Sequence, residues 1–154
     1  MSFDMVGKQP IVLLKTVAGN RFLPIWIGHA EAAAILMKLQ GAETPRPMTH
    51  DLLRNLIIEL GIQVERVVVT SLRDNTFFAV IEMRMSDGAR MVLDSRPSDA
   101  IALALRADCP IFVDVDVIKA SRNTTAADEE LSDESLGGEE EWPDVIGEAG
   151  DLPM

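Results

Sequence analysis

Three strand-like runs follow one another between residues 63 and 93, and they restrict the fold more than any other feature of the chain. Gln63 to Leu72 carries Val64, Val67, Val68 and Val69. Thr76 to Met85 alternates through Phe78, Val80, Ile81 and Met83, and Arg90 to Leu93 is short. Arg73-Asp74-Asn75 and Ser86-Asp87-Gly88 separate them, both rich in turn formers. Turns this short join antiparallel neighbours, so the three runs predict a meander.

The flanking segments fill out the architecture. Ile11 to Lys15 and Arg21 to Ile27 are strand-like and are separated by Ala18-Gly19-Asn20, a hairpin signal. Pro24 lacks an amide hydrogen and needs an edge, a bulge or an unpaired position. Trp26 reads as core or as an oligomer contact rather than a stacking platform. His29 to Gln40 places Ala32, Ile35, Leu36 and Leu39 at helical spacing. A second helix is expected from His50 to Leu60, with Leu52, Leu53, Leu56, Ile57 and Leu60 as its apolar face. A third is expected from Ser98 to Arg106. A short strand, Ile111 to Val113, and a helical turn near Asp114 to Lys119 close the pattern. Strands cluster instead of alternating with helices. The expected class is therefore α+β: a mixed, mainly antiparallel sheet with about three helices packed on it, in a single domain.

Charge divides the chain at residue 122. Residues 1–122 hold 14 basic and 14 acidic side chains, whereas 123–154 hold 11 acidic and no basic ones. The formal net charge of -11 thus belongs to the tail, and the domain is neutral. The tail is poor in large apolar residues and reads as disordered. Within it, Glu139 to Ile146 places Trp142, Val145 and Ile146 inside an acidic run, a pattern that suits docking to a protein partner.

No run approaches the roughly 18 apolar residues of a membrane span. Met1-Ser2-Phe3-Asp4 does not resemble the start of a signal peptide. The single Cys109 forms no internal disulfide, which agrees with a reducing, cytoplasmic setting. One cysteine and two histidines offer too few soft ligands for zinc, while carboxylates leave magnesium or manganese open as a divalent cofactor.

Two stretches concentrate chemistry. Arg46-Pro47-Met48-Thr49-His50-Asp51-Leu52 and Asp94-Ser95-Arg96-Pro97-Ser98-Asp99-Ala100-Ile101 each run from Arg-Pro through a hydroxyl residue and an acid into an apolar helix. Thr49 and Ser98 suit N-caps, and Asp51 and Asp99 suit the positive end of the helix dipole. Capping does not account for the arginines.

These two stretches resemble the bifunctional nuclease family, whose domain is found in bacteria and in plant proteins linked to defence responses. Leu23-Pro24-Ile25-Trp26-Ile27-Gly28 with Glu31-Ala32, and Pro110-Ile111-Phe112-Val113, complete the likeness in the family's order. The resemblance implies an α+β domain over about residues 5 to 120, self-association, and activity on RNA and DNA. The helical module that follows the domain in the plant relatives is replaced here by the acidic tail.

The resemblance supplies no catalytic residues, so these are argued from chemistry. Cutting a phosphodiester requires an activated water and charge stabilisation at phosphorus. Asp94, Asp99, His50, Asp51 and Glu31 are the candidate catalytic groups, and Asp94 and Asp99 would hold any metal. Arg46, Arg96, Ser98 and Thr49 are the candidate substrate contacts. The competing structural role is a polar knot in which the arginines pair with Asp51, Asp99 or Asp94. A neutral domain lacks the basic excess of a dedicated nucleic-acid binder, so RNA and DNA binding is expected to be weak. A non-enzymatic, oligomeric module for an anionic ligand or a protein partner is the alternative.

Overall fold

The computed structural model describes residues 9–19 and 21–122. The acidic tail and the lead-in residues 1–8 lie outside the described residues, as do the expectations placed on them.

The strand-rich centre folds as its turns dictate. β3 (Gln63–Arg73), β4 (Thr76–Arg84) and β5 (Arg90–Ser95) form the antiparallel meander. Arg73 pairs with Thr76, so Asp74 and Asn75 alone make the first turn, with φ of 51° and 58°. Two successive left-handed residues give a turn whose twist matches that of the strands it joins. Ser86, Asp87 and Gly88 form the second, closed by the Met85 amide on the Ala89 carbonyl at 2.7 Å, with Gly88 at φ +86°. β6 (Ile111–Val113) adds parallel to β3, giving the order β5-β4-β3-β6.

β1 (Ile11–Lys15) and β2 (Phe22–Trp26) form a separate antiparallel ribbon. Both of its strands have an open edge, which is how Pro24 is accommodated opposite Leu13. Val12, Leu14, Leu23 and Ile25 point into the core. Trp26 does not: it is half exposed, which leaves the oligomer contact of the two roles expected for it.

Four helices complete the domain. α1 spans His29–Leu39, α2 Thr49–Glu59 and α3 Pro97–Ala107, and residues 115–122 form α4. α3 contacts β3 and β4 on one side and α1 and α2 on the other. Its position explains its composition. Ala100, Ala102 and Ala104 allow close approach of neighbouring elements, while Ile101 and Leu103 fill the space between them, and all five are buried. A helix that is apolar on nearly every side belongs in an interior.

Three local expectations need correction. Ser98 and Thr49 are not the caps: the N-caps are Arg96 and Met48. Pro97 takes the first helical position of α3, where its fixed φ and missing N–H cost nothing. Ser98 therefore moves inside and is buried. The apolar face expected of α2 is also mostly uncovered. Ile57 is buried, whereas Leu52, Leu56 and Leu60 are more than half exposed.

Candidate active site

α2 and α3 begin side by side, and their first turns bring the candidate groups together. Counted from the caps, Asp51 and Asp99 are both the third helical residue. That shared position, rather than the Arg-Pro pair, is the structural likeness between the two stretches. Asp51 uses it to accept the Met48 backbone N–H at 3.0 Å. Asp99 instead faces side chains.

The Asp99 carboxylate is the hub of a four-residue chain. His50 Nε2 lies 2.9 Å from Asp99 Oδ1. Arg96 Nε donates to Asp99 Oδ2 at 2.9 Å, and Arg96 Nη2 donates to Glu31 Oε1 at 2.9 Å. A carboxylate can only accept here, so the proton on this histidine edge is on Nε2. Nδ1 is left to accept or to carry a second proton. Burial pushes the Asp99 carboxyl up, but the His50 hydrogen bond and the Arg96 guanidinium outweigh it and hold Asp99 below the usual carboxylate range. Asp99 therefore stays ionised around neutrality. His50 is largely buried, with its side chain 12% exposed, while the Arg96 side chain is 66% exposed.

Arg96 retains donors. A guanidinium has five N–H bonds, and those on Nη1 are not used by Asp99 or Glu31. An exposed arginine, oriented by two carboxylates and with free N–H groups, is suited to a phosphate.

The Glu31 carboxylate that meets Arg96 lies against a glycine, and only the flexible end of its side chain would have to shift for a larger residue there. Gly28 is the N-cap of α1, and a Cβ there would collide with Glu31 Oε2. The sequence marks Gly28 only as a strand end, and its closeness to Glu31 appears with the fold.

A second cluster shares the first turn of α2. Arg106 Nε donates to Asp51 Oδ1 at 2.7 Å, Nη1 to the Ala102 carbonyl at 2.8 Å and Nη2 to the Ala34 carbonyl at 3.1 Å. Burial raises the Asp51 carboxyl, yet the Met48 N–H and Arg106 bring it net below the usual range. Arg106 ties α1, α2 and α3 together, and sequence reasoning passed over it. An arginine in the last turn of a helix reads as a solvated complement to the dipole.

Other candidates stand apart. Arg46 is exposed two residues before the α2 cap, and among the described residues its backbone carbonyl is engaged by Thr44 Oγ1 at 2.6 Å. Asp94 is exposed on β5 opposite Val80 and joins neither cluster. Thr49 is exposed at the first position of α2, and Ser98 is buried at the second position of α3. As a metal site, Asp94 and Asp99 lack company: among the described residues no three or more His, Cys, Asp or Glu side chains gather as ligands. Both Asp99 oxygens are already engaged. The donor set therefore does not fit a divalent ion. Cys109 is a half-buried thiol whose pKa burial pushes up to about 11, which makes it a poor nucleophile.

Comparison with known proteins gives consistent matches. The model of the bifunctional nuclease domain matches residues 12–125. An uncharacterized protein of Mycobacterium tuberculosis is 44% identical over 110 residues, covering 71% of this chain and 65% of that protein. Bifunctional nuclease 2 of Arabidopsis thaliana is 27% identical over 131 residues, covering 77% of this chain and 40% of the plant protein. Bifunctional nuclease 1 of Oryza sativa subsp. japonica is 25% identical over 112 residues, covering 71% of this chain and 34% of its own length. The chain thus spans under two thirds of each of these relatives.

Proposed function

Because this chain belongs to the bifunctional nuclease domain family, we propose that it hydrolyses phosphodiester bonds in RNA and DNA at the His50–Asp99–Arg96 cluster. The 2.9 Å contact between His50 Nε2 and Asp99 Oδ1, with Arg96 on the same carboxylate, carries this reading. The plant relatives named as nucleases support it from outside the chain.

The chemistry follows from the roles available. His50 Nδ1 takes a proton from water as the water attacks phosphorus. Asp99 keeps the ring oriented and stabilises the imidazolium that forms. The free N–H groups of Arg96 hold the non-bridging oxygens as charge builds on them. The imidazolium then gives its proton to the departing oxygen. Since water rather than a ribose hydroxyl attacks, the same steps serve RNA and DNA. Glu31 positions Arg96 and touches no substrate in this scheme.

The test is hydrolysis of single-stranded RNA and DNA by purified protein. His50→Ala and Asp99→Asn should each lower the rate roughly 10²- to 10⁴-fold, the usual weight of general acid–base catalysis, with the melting profile showing a folded protein. A chelator titration in the same assay reports any metal requirement. Activity surviving equally in both variants would remove the assignment.

One observation favours a second reading, an oligomeric binding module for an anionic ligand. His50, Asp99, Arg96 and Glu31 already satisfy one another as a structural knot would. That reading predicts no cleavage by the wild-type protein and a loss of melting temperature in Asp99→Asn.

A further inference from the structure

The first turn of α2 faces α3 at two places. His50 meets Asp99, and Asp51 meets Arg106 two turns further along. Seven residues of α-helix separate these points by about 10 Å. At the Arg106 end lies a concave pocket of about 300 Å³, between the end of α1, residues 42–48 and α2. Neither the nuclease scheme nor the family match accounts for it.

Its lining has two parts. Lys38, Arg54 and Arg106 supply cations from three different helices, against Asp51 and Glu43. Asp51 is committed to Arg106. Lys38 and Arg54 are exposed, and the one side-chain hydrogen bond of Arg54 goes to a neutral partner, Asn55 Oδ1, at 3.3 Å. Both are therefore available to an anion. The apolar part consists of Met37, Met48, Pro45 and Pro47. Thioethers pack well against flat rings, and the two prolines stiffen the wall. The volume lies at the small end of the roughly 300–1,000 Å³ typical of ligand sites.

We propose that this pocket holds one nucleotide of the strand beside the bond being cut, with Lys38 and Arg54 on its phosphate and Met37 and Met48 against its base. The place beside a cut bond rests on the nuclease reading, whereas binding of a nucleotide does not.

The experiment titrates AMP, adenosine and inorganic phosphate separately into the isotope-labelled full chain and follows its amide resonances. AMP should shift Ala42, Glu43, Thr44 and Met48. Adenosine and phosphate should each bind about ten-fold or more weakly, since each lacks half of the recognition. The double variant Lys38→Ala, Arg54→Ala should lose about ten-fold in AMP affinity, as expected for removal of charge-assisted phosphate contacts. Because both residues are exposed, folding is not at stake. The same variant should raise KM for a decanucleotide about ten-fold. AMP shifts confined to residues around Arg96, or wild-type AMP affinity in the double variant, would overturn the pocket. A chain that binds AMP here but cuts no strand keeps the pocket and loses the nuclease reading.

Discussion

Asp51 and Asp99 occupy the same helical position and are put to different uses. Asp51 accepts one backbone N–H and one guanidinium, which makes it a cap and a tie. Asp99 accepts a histidine and an arginine, which makes it a link between side chains. Their shared feature is a carboxyl pKa held below the usual range once arginine and hydrogen-bond donors outweigh burial. A depressed pKa in the fold means that stability is gained above the carboxyl's unfolded pKa. It is lost as pH falls through the folded one. The melting temperature should therefore decline as pH drops from about 5 toward 3, the region of ordinary carboxylate titration. In Asp51→Asn, Asp99→Asn that decline should be shallower, although the variant starts lower at neutral pH. Both carboxylates are about a third exposed, so solvent screening keeps the effect modest. Thermal unfolding across a pH series measures it, and parallel curves for the two proteins would refute the linkage.

At the scale of elements, α3 decides both stability and site. Its interior face holds Ile101 and Leu103 against the sheet and the other helices, and its start carries Asp99. Near its end, Arg106 binds Asp51 and two carbonyls from a nearly fully buried side chain. Removing one partner of a buried pair typically costs about 3–5 kcal/mol. Arg106→Ala should fall near the lower bound, about 3 kcal/mol, because Asp51 can still reach water. Urea unfolding measures that loss, and a change within the usual ±0.5 kcal/mol of a surface substitution would show that Arg106 ties nothing.

The elements themselves were legible from local signals. The meander followed from two turn sequences, and α1 from its apolar spacing. His50, Asp99, Arg96 and Glu31 were legible as residue types beside helix starts. The pairing of Arg96 with Asp99 was one the expected polar knot allowed, whereas local signals did not specify the His50–Asp99 and Glu31–Arg96 contacts, since 49 residues separate the first pair and 65 the second. Arg46 was selected by an echo of residue order that the helix registers do not share, and Asp94 by its place at a strand end just before Asp99's helix. Arg106 was missed because Asp51 and Ala34, two of its three partners, belong to α2 and α1, and no periodicity within α3 points to them.

For the molecule as a whole, the apolar surface is the unresolved demand. Leu52, Leu56 and Ile58 of α2 and Leu60 at its C-cap are each more than half exposed. β5 is an edge strand, and its Met91, Val92 and Leu93 are exposed on both faces. An apolar strand with an unpaired ladder is a liability unless something covers it. Isolated exposed leucines need no explanation, but a contiguous helical stripe does. The described helices include none long and apolar enough to cross a membrane. We propose that a second copy of the chain covers these surfaces, which together could supply part of the roughly 800 Å² per partner that a stable interface buries. Sedimentation velocity over a concentration series should then show an assembly larger than 16.9 kDa. Leu56→Glu, Leu60→Glu on α2 and Val92→Lys on β5 test the two surfaces separately, since a charge placed in an apolar contact opposes burial. Whichever variant returns the chain to a monomer identifies the surface that carries the contact. If the wild type already sediments as a monomer at every concentration, both surfaces are free and self-association is refuted. Retained AMP binding in the monomeric variant would further place the Lys38–Arg54 pocket within one subunit.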